Sequence, residues 1–170
     1  MIPILSHSQS NDSTGRIRFA LNSSINGEVY PIRLVPTLTY IQGNSQFELG
    51  GGIHPFIRKN QKIFSGELNY KYFPNGKDRK FNMYLIGRFS YIHNSRSTYY
   101  PSRYNYLFLN GGYGFQINAS KKIYLGTNFT IGTFTYGKQS EIPYDSFKKK
   151  DLFKEFGFNL AFQFNIGFRF

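Results

Sequence analysis

Cysteine and tryptophan are both absent from the 170 residues, and acidic side chains are few, 9 Asp and Glu against 21 Lys and Arg. The lack of cysteine excludes disulfides, thiolate metal sites and a cysteine nucleophile, and it leaves the redox compartment unreadable. The shortage of acid gives a formal net charge of +12. Such a balance points to anionic partners, lipid phosphates or nucleic acid. No nucleic-acid motif accompanies the cations, so nucleic acid is not an expected partner. Long apolar runs are missing too. The longest mid-chain stretches, such as Met83-Tyr84-Leu85-Ile86, are far shorter than the roughly 20 residues a membrane-spanning helix needs. A helical membrane protein is excluded.

What the chain does have is aromatic residues and glycine: 14 Tyr, 19 Phe and 17 Gly. Its mean hydropathy is nevertheless −0.42. A chain rich in aromatics yet hydrophilic on average must separate the two kinds of residue by position rather than by segment. The length suits one domain.

The separation has period two, most clearly over residues 156–170. Phe156, Phe158, Leu160, Phe162, Phe164, Ile166, Phe168 and Phe170 alternate there with Gly157, Asn159, Ala161, Gln163, Asn165, Gly167 and Arg169. Strict alternation marks a strand with one apolar and one polar face. Strands of soluble sandwiches typically run about 5–6 residues, whereas a membrane-spanning strand needs about 9–11 tilted residues.

Weaker copies of the pattern predict seven more strands, at about 16–22, 30–41, 46–57, 62–73, 80–92, 104–118 and 122–136. Their connections alternate in length, tight at Gln42–Ser45, Pro74–Lys80 and Asn118–Lys121 and longer at His93–Arg103 and Lys138–Asp151; Arg58–Gln61 is short where a long one is due. The expected fold is all-β, a closed antiparallel transmembrane β-barrel of about eight strands with both termini on the short-turn side. Pro36 lies inside the second strand and lacks an amide donor, so a bulge or local break is expected there.

Alternation alone does not say which face is inside. Polar faces rich in Gly, Asn and Ser suit a narrow interior. Tyr40, Tyr72, Tyr91, Tyr104 and Tyr136 lie near strand ends, where interfacial girdles form. Both features put the apolar face outside.

The ending Phe164-Asn165-Ile166-Gly167-Phe168-Arg169-Phe170 resembles the C-terminal assembly signal of outer-membrane barrels. With Tyr70-Lys71-Tyr72-Phe73-Pro74-Asn75-Gly76, the pattern over about 15–170 is similar to the small OmpA/OmpX-type barrels of Bacteroidetes. The resemblance implies an integral outer-membrane location. It implies partners too: membrane lipid including lipopolysaccharide, the barrel-assembly machinery acting on Phe164, Ile166, Phe168 and Phe170, and other outer-membrane proteins. Residues 1–9, ending Ser6-His7-Ser8-Gln9, resemble the end of a secretory signal whose start lies upstream of Met1, which leaves 10–170 as the barrel.

Candidate sites are few. Glu48 and Glu67 share polar faces with Arg33, Arg88 and Lys71, and unpaired charge in a narrow interior is costly, so an ion network is expected. Arg88 is the expected partner of Glu67. His93-Asn94-Ser95 is similar to the His-x-Ser pair of lipid A deacylases, but the acidic orienter of that family falls on Leu107. The Ser–His logic is therefore incomplete, although Glu141 or Asp145 of the last loop could supply the missing carboxylate. His54 reads as an interior filler without metal partners. Arg58, Lys59, Lys62 and the run Lys148-Lys149-Lys150 suit the phosphates of lipopolysaccharide. The reading is a non-enzymatic barrel with no cofactor, metal or catalytic residue, serving envelope integrity, surface interaction or a larger complex. The alternative is a lipid A-modifying enzyme.

Overall fold

The computed structural model describes residues 16–20, 23–26, 33–55, 60–97, 101–140 and 149–168. All regular structure among them is β: β1 (Arg16–Ala20), β2 (Ser23–Asn26), β3 (Thr37–Gln42), β4 (Ser45–Ile53), β5 (Gln61–Tyr72), β6 (Phe81–Arg96), β7 (Ser102–Asn118), β8 (Ile123–Ser140) and β9 (Phe156–Phe168). Seven strands, β3 to β9, follow one another in an antiparallel sheet. Its two ends are extended by β1, paired to β3, and β2, paired to β9.

The tight connections form where the local chemistry allows them. Gly43 sits at φ +54° and Gly76 at φ +78°, backbone that glycine adopts without steric cost. On the opposite side the expected long connection His93–Arg103 shrinks to residues 97–101, because β6 runs to Arg96 and β7 starts at Ser102. Likewise β8 runs to Ser140. Polar side chains there resemble a loop in sequence, but the backbone ladder does not require apolar residues to continue.

Pro36 interrupts the ladder without shifting it. Leu34 and Ile53 exchange both backbone hydrogen bonds at 3.0 Å, and Gly51 N–H donates to the Pro36 carbonyl at 3.2 Å. The Leu34–Ile53 bridge is in step with Thr37 opposite Gly50. Only the bond that proline cannot donate is missing. The expected break is present; the bulge is not.

The burial pattern turns the sheet inside out relative to a soluble protein. Among the described residues 30 large apolar side chains are exposed, while the buried set holds 22 polar or charged residues and 11 apolar ones. The outer face carries Leu38, Phe47, Leu68, Phe89, Leu109, Phe129 and Phe162; the inner face carries Thr39, Glu48, Asn69, Arg88, Asn110, Asn128 and Gln163. Two apolar clusters break this rule inside. One is Phe73, Tyr84 and Ile86, near the tight turns. The other is Ile63, Ile92, Tyr106 and Phe108, packed with Tyr104, Phe134 and Tyr136, at the far end. Tyr104 and Tyr136 thus join the inner stack through Tyr106, at centroid distances of 6.2 and 5.7 Å, and are not part of an outer girdle as expected.

Inner aromatics are fitted by glycine opposite them. Tyr84 faces Gly114, Tyr124 faces Gly167 and Phe134 faces Gly157 as direct cross-strand partners. A Cβ on any of these glycines would stand within 1.8–2.3 Å of the partner ring. The glycines are therefore the space the rings occupy.

Candidate functional site

All five charged residues expected inside are buried. Lys71 Nζ lies 2.6 Å from Glu48 Oε1. The Glu48 carboxylate also accepts from Gln46 Nε2 at 2.6 Å and Asn69 Nδ2 at 3.2 Å. Arg33 Nη2 lies 3.1 Å from Glu67 Oε1, with both side chains fully buried. Glu67 is thus paired with Arg33, a contact between two residues of the expected network. Gly50, directly opposite Glu67, and Gly52 present no side chain on β4. Side chains from the β3 side and from β5 meet above them: a Cβ on Gly52 would touch both Val35 and Ser65.

Arg88 belongs to a transverse row of direct backbone partners, Thr39, Glu48, Asn69, Arg88, Asn110, Gly132 and Asn159. With the Asn110 amide turned so that its oxygen faces them, Arg88 Nη2 at 3.2 Å and Asn159 Nδ2 at 3.0 Å both donate to it. Tyr84, which sequence reasoning left unassigned, reaches across the interior: its hydroxyl donates to the Thr127 carbonyl at 3.3 Å and accepts from Asn128 Nδ2 at 3.4 Å. Lys71 Nζ lies 5.2 Å from its ring centroid. The signal was present, since Tyr84 has the parity of Asn82 and Arg88.

A different polar group sits on the outer face. His93 and Ser95 lie two apart on β6, in the strand and not at a loop start. Asn105 is the direct partner of His93, and its Oδ1 lies 2.6 Å from His93 Nδ1. Tyr91 donates to the same oxygen at 2.9 Å, and Phe64 stacks on the imidazole at 4.7 Å. The residue at Leu107, where an acidic orienter was sought, is apolar; the side chain beside the imidazole is the neutral Asn105 amide, one cross-strand step away. Counting along the chain missed it because hairpin register, not sequence spacing, chooses the neighbour.

At the far end of the strands Lys150 donates to Tyr136 Oη at 2.8 Å and pairs with Glu155. The Glu155 carboxylate and the Tyr136 hydroxyl hold its ammonium above the ordinary lysine range. Lys154 and Lys149, each 3.2 Å away, hold the Asp151 carboxyl below its ordinary range. His54 lies just past β4, half-buried, with the parity of the inner face. Phe164, Ile166 and Phe168 are outward and exposed on β9. Phe170, Arg58, Lys59, Lys148, Glu141, Asp145 and the segment 1–9 lie outside the described residues.

No family model, curated protein or solved structure matches this chain.

Proposed function

We propose that the chain is a non-enzymatic integral outer-membrane β-barrel with a filled interior, serving envelope integrity, surface interaction or as an accessory subunit of an outer-membrane complex. The observation that carries this reading is the inverted burial. Apolar side chains exposed along every long strand are stable against lipid, and buried polar groups that hydrogen-bond one another are stable away from it.

Closure is part of the proposal. The two ends of the strand order, β1 and β2, are two residues apart in the chain and run antiparallel to β3 and β9 respectively. Taken as one strand they join the sheet into eight, an even count that leaves no edge. The tight connections would then be periplasmic together with both termini. Arg33, Arg88, Lys71 and Phe108 fill the bore, which argues against a porin. Membrane lipid including lipopolysaccharide, the barrel-assembly machinery and other outer-membrane proteins are the partners this reading requires; it requires no nucleic acid or cofactor.

The absence of native tryptophan gives a clean test. Leu109 is 65% exposed and its neighbour Phe108 is 1% exposed. In vesicles with brominated acyl chains, the fluorescence of Leu109→Trp should be quenched and that of Phe108→Trp retained. Equal quenching of both, or of neither, refutes the reading.

One observation favours a second reading, an outer-membrane lipid A-modifying enzyme of the deacylase kind. It is the Asn105–His93 contact, which sets an amide against the imidazole on the face that would meet lipid, with Ser95 two residues further along the same strand. Under the first reading, His93→Ala with Ser95→Ala leaves the lipid A acyl pattern unchanged by mass spectrometry. Loss of a deacylated species, with the barrel assembled, establishes the second.

A further inference from the structure

Where β8 pairs with the chain that leads into β9, the ladder carries a large bulge. Thr135 is opposite Phe156 and Lys138 is opposite Lys150, so Tyr136 and Gly137 face the five residues 151–155. The extra residues lie over the outer face of β8. Thr135 has the parity of outward Phe129 yet is buried, and its hydroxyl oxygen accepts from the Phe153 amide at 3.0 Å. Leu152 covers Gly137, where a Cβ would stand 3.1 Å from Leu152 Cδ1.

The bulge holds Phe153 in a conformation that is strained and gains little packing. Its φ is +70° and it is 62% exposed. Left-handed backbone strains a residue that has a Cβ, and strain kept at an exposed position points to a use for the side chain there. The use follows from the level at which the bulge sits. One outer row toward the tight turns, Leu68, Phe89, Leu109, Thr133 and Phe158 are direct partners, and all but Thr133 are large, apolar and exposed. On the other side, past the His93 row, the outer row is Lys62, Ser95, Arg103 and Gln139. The outer face thus changes from apolar to polar across the bulge. Lys149 and Lys154 flank Phe153 in sequence, both largely exposed and each 3.2 Å from Asp151; such exposed contacts are weak. Over 149–155 three lysines stand against Asp151 and Glu155, which leaves one net positive charge.

We propose that the bulge is a lipid anchor: Phe153 enters the boundary between acyl chains and headgroups, and Lys149 and Lys154 draw anionic lipid to it. Apolar rings on a cationic segment settle at that boundary, and cations beside it attract anionic headgroups. The proposal rests on the membrane reading and adds to it where the bilayer ends on the outer face and which class of lipid lies there.

The test places Phe153→Trp, then the sole tryptophan of the full chain, in phosphatidylcholine vesicles holding a fixed fraction of one brominated lipid. Bromines near the headgroup end of the acyl chains should quench it more than bromines near the chain ends. At equal mole fraction, brominated phosphatidylglycerol should quench it more than brominated phosphatidylcholine, with a local enrichment of roughly fivefold for one net charge. Lys149→Gln with Lys154→Gln should remove that preference, whereas Lys121→Gln with Lys122→Gln at the opposite end should leave it. Leu109→Trp separates two kinds of failure. If neither tryptophan is quenched, the membrane reading fails and the anchor with it. If Leu109→Trp is quenched and Phe153→Trp is not, the membrane reading stands and the anchor is overturned. Equal quenching of Phe153→Trp by the two brominated lipids overturns it as well.

Discussion

Replacing Glu67 with Gln removes one charge from a pair whose partner cannot reach water. The Arg33–Glu67 separation is 3.1 Å with neither side chain exposed. At an effective dielectric of about 20, that distance corresponds to an attraction of about 5 kcal/mol. The measurable quantity is smaller, because the folded state has already lost the solvation of both groups. Removing one partner of a buried pair costs roughly 3–5 kcal/mol, chiefly as the uncompensated charge left behind. With a urea dependence of about 2 kcal/mol per molar, the unfolding midpoint should fall by about 2 M. Unfolding in detergent, followed by circular dichroism, would measure it. The double variant Arg33→Gln with Glu67→Gln should recover part of the loss, since no uncompensated charge remains. Recovery should be smaller when Arg88→Gln is combined with Glu67→Gln. An unchanged midpoint for Glu67→Gln means that the carboxylate is solvated. Better recovery through Arg88 means that the Arg33 pairing does not govern stability. Either result refutes the reasoning.

Gly167→Val should destabilise the fold by roughly 1–3 kcal/mol through overpacking, because a Cβ there stands 1.8 Å from the Tyr124 ring; adding Tyr124→Ala should restore part of the urea midpoint. Phe153 adopts φ +70° and is exposed, so Phe153→Gly should raise stability by about 1 kcal/mol through relief of left-handed strain, read as a higher thermal midpoint. The Asp151 carboxyl is held low by Lys154 and Lys149. Its anchoring of segment 149–154 is therefore fully present above the ordinary carboxylate value, near pH 4, and is lost as pH falls through the lowered value. The protection of those amides, their hydrogen-exchange rate relative to the intrinsic rate at each pH, should fall only below about pH 4 and stay flat between pH 5 and 7.

The strands were legible because a period of two survives any change of solvent: it records the pleat. Which side is buried was legible in Glu48, Asn69 and Arg88, whose cost without partners fixes them inside if the outside is apolar. Two things were not legible. Ion pairing depends on which side chains cross a gap, and Gly50 and Gly52 open that gap between the β3 side and β5 without marking it in the pattern of charges. Neighbours across a hairpin depend on register, so Asn105 meets His93 as its direct cross-strand partner. The aromatic residues misled for a third reason. Tyr104, Tyr106, Phe108, Phe134 and Tyr136 break the rule that apolar side chains point outward, and only their parity against Asn110 and Gly132 reveals it.

The inner aromatics also indicate how such a fold closes at its ends. Hydrogen bonds between buried polar side chains hold only while water is kept from competing for them, and in the proposed barrel water would enter from the two ends of the strands. Phe73, Tyr84 and Ile86 lie toward one end, and Ile63, Ile92, Tyr106 and Phe108 toward the other. Between them lie Glu48, Glu67 and Arg88, with Lys71 directly opposite Ile86 and Arg33 reaching Glu67. The glycines opposite Tyr84, Tyr124 and Phe134 let these rings lie flat against the wall rather than prop it open. The network and the caps are therefore one device: the charges fill the middle in fixed geometry, and the rings keep their surroundings dry enough for that geometry to be worth its desolvation.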